Sequence, residues 1–243
     1  MAAEKPCPAI FITGTDTGVG KTLVAAGLAR HFSSLGLNVG IMKPIETGVK
    51  DPAGLGADAD LLRWAAGSTD DKELISPYRF PQPVAPCQAA TAAQVQIDPD
   101  KIVAACNELR HDKDIVFVEG AGGLMVPIHG GYIMADLARQ LGIPLLVITH
   151  PRLGTLNHTL LTTFAARAME LELSGFIINN MPSNPNEAEQ EAPHLLSSLA
   201  SADLLGVLPE VKGTEREKVL VLAGEIEKMP AYQWLLTGLG LQP

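Results

Sequence analysis

The sequence predicts an α/β fold: a single domain built on a mostly parallel sheet with helices on both faces. Two observations carry this. First, short uninterrupted apolar runs alternate with longer stretches of helical periodicity. A strand reads as a continuous apolar run when the helices of a parallel sheet cover both its faces. Second, the string GTDTGVGKT at 14–22 follows directly on the apolar run 9–13 and opens a helical stretch. Strand, glycine-rich turn and helix, in that order, form a phosphate-binding loop.

Taken in order, residues 9–13 are expected as the first strand. Residues 22–35 are a helix with Leu23, Ala26, Leu28 and Phe32 near one face, stopped at Gly36. Residues 39–42 make a second strand, which delivers Lys43 and Pro44 to a loop, and 57–66 make a short helix. The segment 77–86 is rich in proline and is expected to be irregular. A helix over 99–110 opens on Asp98 as its N-cap. Residues 114–119 (DIVFVE) are a strand whose end carries Glu119 into Gly120, Ala121, Gly122 and Gly123. Helix 133–141, strand 144–149, a long helix 155–171, strand 175–179, a helix near 187–201 and strand 204–208 follow. From Gly213 onward one or two helices are expected, and no internal repeat or interdomain linker breaks the pattern.

The bulk numbers agree with one large domain. A chain of 243 residues with 47% hydrophobic residues has ample material for a core, and 19% charged residues argue against long disorder. The formal charge of −9 and the lack of any Lys/Arg-rich run exclude a nucleic-acid partner, because that binding rests on clustered cations meeting phosphates. Cys7, Cys87 and Cys106 are widely spaced, with no C-x-x-C pair, and are expected as reduced thiols. The first residues run straight into a strand too short for a signal-peptide core, and no uncharged apolar stretch is long enough to cross a membrane. A cytoplasmic location is expected.

Right-handed crossovers would place every strand-to-helix loop on one edge of the sheet, where ligands of open α/β sheets bind. The loops carrying Lys21, Lys43, Glu119, residues 150–157 and Asn179 all leave from that edge, so motifs far apart in sequence converge. In the glycine-rich loop, Gly14, Gly18 and Gly20 allow the positive φ values that wrapping an anion with backbone N–H groups needs. Lys21 can reach the β- and γ-phosphates, and the Thr22 hydroxyl can ligate Mg²⁺. The fold expected is thus of the P-loop NTPase kind, yet five residues separate Gly14 from Gly20, one more than the usual pattern. Mg²⁺ needs one or two carboxylates besides phosphate and water. Glu119 is the first candidate, and either Asp58 or Asp60 supplies the other. Lys43, held extended by the following proline, is a candidate cation for phosphoryl transfer.

Six strings complete the reading: GTDTGVGKT, KPIETG, DADLL, VEGAGGLMVP, LGTLNH and INN. In this order they resemble the dethiobiotin synthetases, over most of the chain from Ile10 to about Pro209. The extra residue in the loop is itself a family trait. The resemblance implies ATP- and Mg²⁺-dependent closure of the ureido ring of dethiobiotin from 7,8-diaminononanoate and CO₂ or bicarbonate. A carbamate and then a carbamic-phosphoric anhydride lie on the way. It further implies that Lys21 and Lys43 are catalytic, that Gly18, Val19, Gly20, Lys21 and Thr22 bind nucleotide, and that Thr22, Asp58 and Glu119 ligate the metal. Asn179 would meet the adenine edge, with Pro209 nearby. Thr17 would lie beside the transferred phosphoryl group and Thr47 at the diamine end. Backbone at Gly154, Thr155 and Leu156, with Asn157, would hold the substrate's tail carboxylate across a homodimer interface. Arg152 stands where some members of the family have lysine.

Two rival classes share parts of the pattern. Cobyrinate-type amidoligases use a glutaminase domain with a cysteine nucleophile, and this chain has no cysteine after Cys106. Partitioning and septum-placement ATPases resemble the loop but carry a signature lysine five residues before the catalytic one, where this chain has Asp16.

Overall fold

The computed structural model describes residues 7–241. The elements in chain order are β1 (Ala9–Gly14), α1 (Lys21–Ser34), β2 (Val39–Met42), β3 (Ile45–Thr47), α2 (Ala57–Ala66), α3 (Lys72–Ile75) and β4 (Tyr78–Phe80). Then come α4 (Pro86–Ala92), α5 (Pro99–Leu109), β5 (Ile115–Gly123), β6 (Pro127–His129), β7 (Tyr132–Ile133), α6 (Met134–Leu141) and β8 (Leu145–Thr149). The chain ends with α7 (Thr155–Ala168), β9 (Leu173–Met181), α8 (Glu187–Leu199), β10 (Leu204–Pro209), α9 (Glu215–Glu227) and α10 (Tyr232–Gly238).

Six strands form one sheet in the order β10-β9-β8-β1-β5-β2, every pair parallel. Parallel pairing points every carboxyl end the same way, which is why the loops after β1, β2, β5, β8 and β9 share one edge. Side chains alternate across the pleat. Ile10 and Ile12 of β1 pack into the layer of α1, α2, α9 and α10. Ala9 and Phe11 pack into the opposite layer with α4, α5 and α6, which α7 and α8 extend over β8 and β9.

Helix α1 shows why helical periodicity is faint in its sequence. Nearly every turn is buried, because the sheet, α2 and α9 enclose it, and a helix covered all round has no polar stripe. Gly27 marks the tightest point, where a Cβ would come within 3.2 Å of Leu222 Cβ on α9.

The structure departs from the sequence reading in a few places. The segment 77–86 is not wholly irregular, since Tyr78–Phe80 pairs in parallel with Ile45–Thr47. Pro77 and Pro81 bound this strand without entering its ladder, and Tyr and Phe suit strand geometry. Strand β5 runs past Glu119 to Gly123, where it meets Gly14 after a register shift whose extra residues lie in β5. Strand β9 is longer than 175–179 at both ends. Helix α7 stops at Ala168, short of 171, and α8 stops at Leu199, short of 201. The chain turns through left-handed conformations at Glu170 and Ser201 just after them. Among the described residues, no helix is long and apolar enough to cross a membrane.

Candidate functional site

The loop between β1 and α1 is built from inside. Gly18 and Gly20 have φ values of 75° and 91°, conformations that L side chains rarely adopt, whereas Gly14, expected to share them, has no positive φ because it still belongs to β1. At Gly14 a Cβ would sit 2.9 Å from the Asp16 carbonyl oxygen, Lys21 Nζ and Val19 Cγ2, so only glycine lets the loop fold this closely. Lys21 Nζ donates to the Asp16 carbonyl at 3.0 Å, folding the ammonium back across the loop. Burial lowers the Lys21 pKa, and the nearby Lys43 charge adds to this against Glu119, Asp58 and Asp16. The Asp16 carboxylate accepts from the Thr17 N–H at 2.7 Å. Asp16 therefore shapes the turn that presents Thr17.

A second set of charges meets the loop from β2, α2 and β5. Lys43 Nζ lies 2.7 Å from Glu119 Oε1 and 2.8 Å from Asp58 Oδ2. Thr22 Oγ1 donates to the same Glu119 oxygen at 2.8 Å. Burial works to lower the Lys43 pKa, but the charges of Glu119 and Asp58 overcome it and hold the ammonium above its ordinary value. Lys43 thus stays a cation throughout neutral and mildly alkaline pH. Glu119 is only 1% exposed, and its Oε2 is buried without a donor. A buried carboxylate oxygen lacking a partner is costly, and a hard cation would satisfy it. No group of three or more His, Cys, Asp or Glu side chains forms a metal cage among the described residues. The hydroxyl of Thr22 with the carboxylates of Asp58 and Glu119 fits Mg²⁺, which relies on few protein ligands and on phosphate.

Most of the expected residues border one cavity of about 930 Å³: Thr17, Gly18, Gly20, Lys21, Thr22, Lys43, Thr47, Asp58 and Glu119. Others lie elsewhere. Val19 turns its side chain into the core. Asn179 is 0% exposed beneath the loop, where its Nδ2 donates to the Val19 carbonyl at 3.0 Å and its Oδ1 has no partner. Pro209 ends β10, beside Met181 of β9. Gly154, Thr155, Leu156 and Asn157 line a separate groove of about 430 Å³ against Glu187, Ala188, Glu191 and Leu195 of α8, with Arg152 at its rim.

Comparison with known proteins decides the family. A family model described as an AAA domain matches residues 8–218. The ATP-dependent dethiobiotin synthetase of Thermodesulfovibrio yellowstonii is 39% identical over 219 residues, covering 86% of this chain and 91% of the relative. That of Aromatoleum aromaticum is 40% identical, covering 86% and 93%. The Bacillus subtilis enzyme is 34% identical, covering 86% and 90%. The chain belongs to the dethiobiotin synthetase family. Among solved structures, the cell division protein MinD of Aquifex aeolicus superposes with a TM-score of 0.58 at 16% identity, covering 96% of each chain. A ParA family ATPase of Chlorobium tepidum gives 0.57 at 16% identity, covering 97% of each. At such identity the likeness is one of fold, the P-loop NTPase-like sheet with its helices.

Against this dethiobiotin synthetase background, two contributions to the cavity escaped sequence reading. Glu46, on β3, accepts from the Asp58 N–H at 2.8 Å and the Ala59 N–H at 3.3 Å. It caps α2 from another element, since Gly56 at the N-cap has no side chain to do so. A Cβ on Gly56 would overlap the Glu46 carboxylate. Burial raises the Glu46 pKa, with the Asp58 charge adding to it and the two N–H bonds opposing. Nothing local in KPIETG announces a cap for a helix ten residues later. The start of α9 also reaches the cavity through Thr214, Glu215 and Arg216. Its signal was legible, because Thr214 and Glu217 form a capping box. Arg216 spans the mouth, 5.0 Å from the Trp64 ring centre and 3.7 Å from Asp60.

Proposed function

We propose that this chain acts as one catalytic domain that closes the ureido ring of dethiobiotin. Its substrates are ATP, 7,8-diaminononanoate and CO₂ or bicarbonate, and its by-products are ADP and phosphate. The observation that carries the reading is the meeting of Lys21, Lys43, Thr22, Asp58 and Glu119 around one cavity at the carboxyl edge of the sheet.

One amine of the substrate attacks CO₂ and loses a proton, giving a carbamate. A carbamate oxygen then attacks the γ-phosphorus of ATP, and ADP leaves. The neighbouring amine attacks the carbamoyl carbon, and phosphate leaves as the second proton is lost. The middle step drives two anions together. Lys43, buried and fixed between two carboxylates, offsets that repulsion without having to reorganise, as preorganised charge in a dry site does best. Lys21 and the N–H groups of the loop hold the phosphates. Thr22, Asp58 and Glu119 would hold Mg²⁺, which when bound neutralises phosphate oxygens as a Lewis acid. Thr17 sits at the loop rim for the reacting groups, and Thr47 at the diamine end. Asn179 and Pro209 are assigned to the adenine end, and to reach the base Asn179 would have to turn out from beneath the loop, where its Nδ2 holds the Val19 carbonyl.

The substrate's tail carboxylate is assigned to residues 154–157, across a homodimer interface. The support is an apolar surface beside that stretch: Leu153 is 91% exposed and Phe164 71% exposed, and exposed apolar patches mark contact surfaces. A reducing, cytoplasmic setting suits the free thiols of Cys7, Cys87 and Cys106.

The test is ATP turnover with and without diamine plus bicarbonate. A rate that rises strongly with both and yields dethiobiotin is expected, whereas hydrolysis unmoved by the diamine would sink the proposal. A second expectation concerns Glu119→Gln. Halving the charge available to the metal should raise the Mg²⁺ concentration needed for half-maximal activity by at least about tenfold. An unchanged Mg²⁺ titration would remove Glu119 from the metal site.

A further inference from the structure

Four threonine hydroxyls meet behind the phosphate loop. Thr149, at the end of β8, accepts a hydrogen bond from Thr15 at 3.1 Å and lies 2.9 Å from both Thr155 Oγ1 and Thr159 Oγ1 of α7. Thr149, Thr155 and Thr159 are buried, and Thr15 is half-buried. A hydroxyl has one proton to give and two positions to accept, so three partners use the full capacity of Thr149. Threonines within a helix ordinarily bond back to the carbonyl of the preceding turn. Thr162 and Thr163 do so, to His158 at 2.8 Å and Thr159 at 3.1 Å. Thr155 and Thr159 instead aim their hydroxyls across to β8.

The cluster joins two functional ends. On one side the Thr15 N–H also donates to the Ile148 carbonyl at 3.0 Å, and the next residue, Asp16, holds Lys21 through its carbonyl. On the other side Thr155 opens α7, whose first-turn backbone is the stretch assigned above to the substrate tail. Thr149 and Thr159 border neither the nucleotide cavity nor the groove at 154–157. A chain of hydroxyls in a low-dielectric interior polarises cooperatively, and a gap in it is expensive.

We propose that Thr149 is a positioning residue that couples the phosphate loop to the start of α7, so that nucleotide and substrate tail bind cooperatively. The proposal rests on the assignment of residues 154–157 to that tail. In a dimer, the coupling runs from one protomer's loop to whichever tail that protomer's α7 holds. Linkage makes the effect reciprocal between the two ligands.

Calorimetric titration of a nonhydrolysable ATP analogue, with and without saturating 7,8-diaminononanoate, reads the coupling directly. In the unsubstituted chain the diamine should tighten analogue binding by about fivefold or more. In Thr149→Val that factor should fall to near one, and Thr149→Ser, which keeps the hydroxyl, should restore it. Thr15→Val cuts the same line from the loop side and should show the same loss if the Thr149 variant folds poorly. Thr159→Val removes an equally buried hydroxyl but leaves the line Thr15–Thr149–Thr155 intact, so its coupling should persist. A merely structural cluster would instead lower the Tm of all three valine variants and leave the factor alone. An unchanged factor in Thr149→Val overturns the proposal, as does a factor of one in the unsubstituted chain. Failure of that chain to bind the diamine at all would overturn the substrate assignment itself, which keeps the two failures apart.

Discussion

Lys43→Ala should lower dethiobiotin formation by about a hundredfold or more while leaving the affinity for an ATP analogue nearly intact. The reason is positional. Lys43 belongs to the loop after β2, and the nucleotide's own cradle, residues 18–22 with Lys21, makes no contact that its removal would break. What disappears, on the proposed mechanism, is a fixed cation beside the migrating phosphoryl group. A stability cost comes with it, because Glu119 is 1% exposed and would lose its ammonium. Removing one partner of a buried pair costs about 3–5 kcal/mol, and Asp58, whose side chain is 42% exposed, recovers water and adds little. The two effects separate in the double variant Lys43→Ala, Glu119→Gln. A neutral amide is cheaper to bury, so Tm should recover relative to Lys43→Ala, which isolates the stability cost; the loss of activity is read from the single variant, since Glu119 is itself assigned to the metal site. Full activity in the single variant would show that the pair is a structural one.

Gly20→Ala is the second large effect, expected as at least a tenfold loss of nucleotide affinity with a clear fall in Tm. The methyl group would overlap the amide nitrogen of Asn179 and require a side chain at φ 91°. The backbone term alone is about 1–2 kcal/mol. Displacing Asn179 adds the loss of its bond to Val19, about 1–3 kcal/mol for a buried group. Gly18→Ala is the internal comparison. Its φ is 75°, but nothing lies within 4 Å of the added Cβ. It should carry the backbone strain without the collision and retain more affinity, and equal losses in the two variants would contradict the collision argument.

Much of this was legible in the sequence, for identifiable reasons. Strands such as 39–42 and 145–149 announce themselves as apolar runs because both their faces are covered. The loop residues from Gly14 to Thr22 follow from chemistry that glycine, lysine and threonine perform in few other arrangements. What escaped depends on contacts between distant segments. Three-residue strands such as β3 and β4 have no period to read and exist because they find each other. Glu46 earns its place only once α2 is folded beside it. Asn179 looked like a residue of the ligand edge, and it does lie there, but its amide turns under the loop, where a composition-level reading sees only a polar strand end.

The order of the sheet has a consequence for biosynthesis. Strand β1 leaves the ribosome well before its partners yet becomes a central strand, with Phe11 level with both Val118 of β5 and Leu145 of β8. Its partners β5 and β8 begin at Ile115 and Leu145, far along the chain from Ala9, and such distant pairings form slowly. Until then AIFITG, wholly buried in the finished molecule, has no ladder to join, and an unpaired apolar strand is prone to association. The loop that follows β1 is therefore anchored to a strand that must wait for its partners, and its Thr15 N–H finds the Ile148 carbonyl only when β8 arrives.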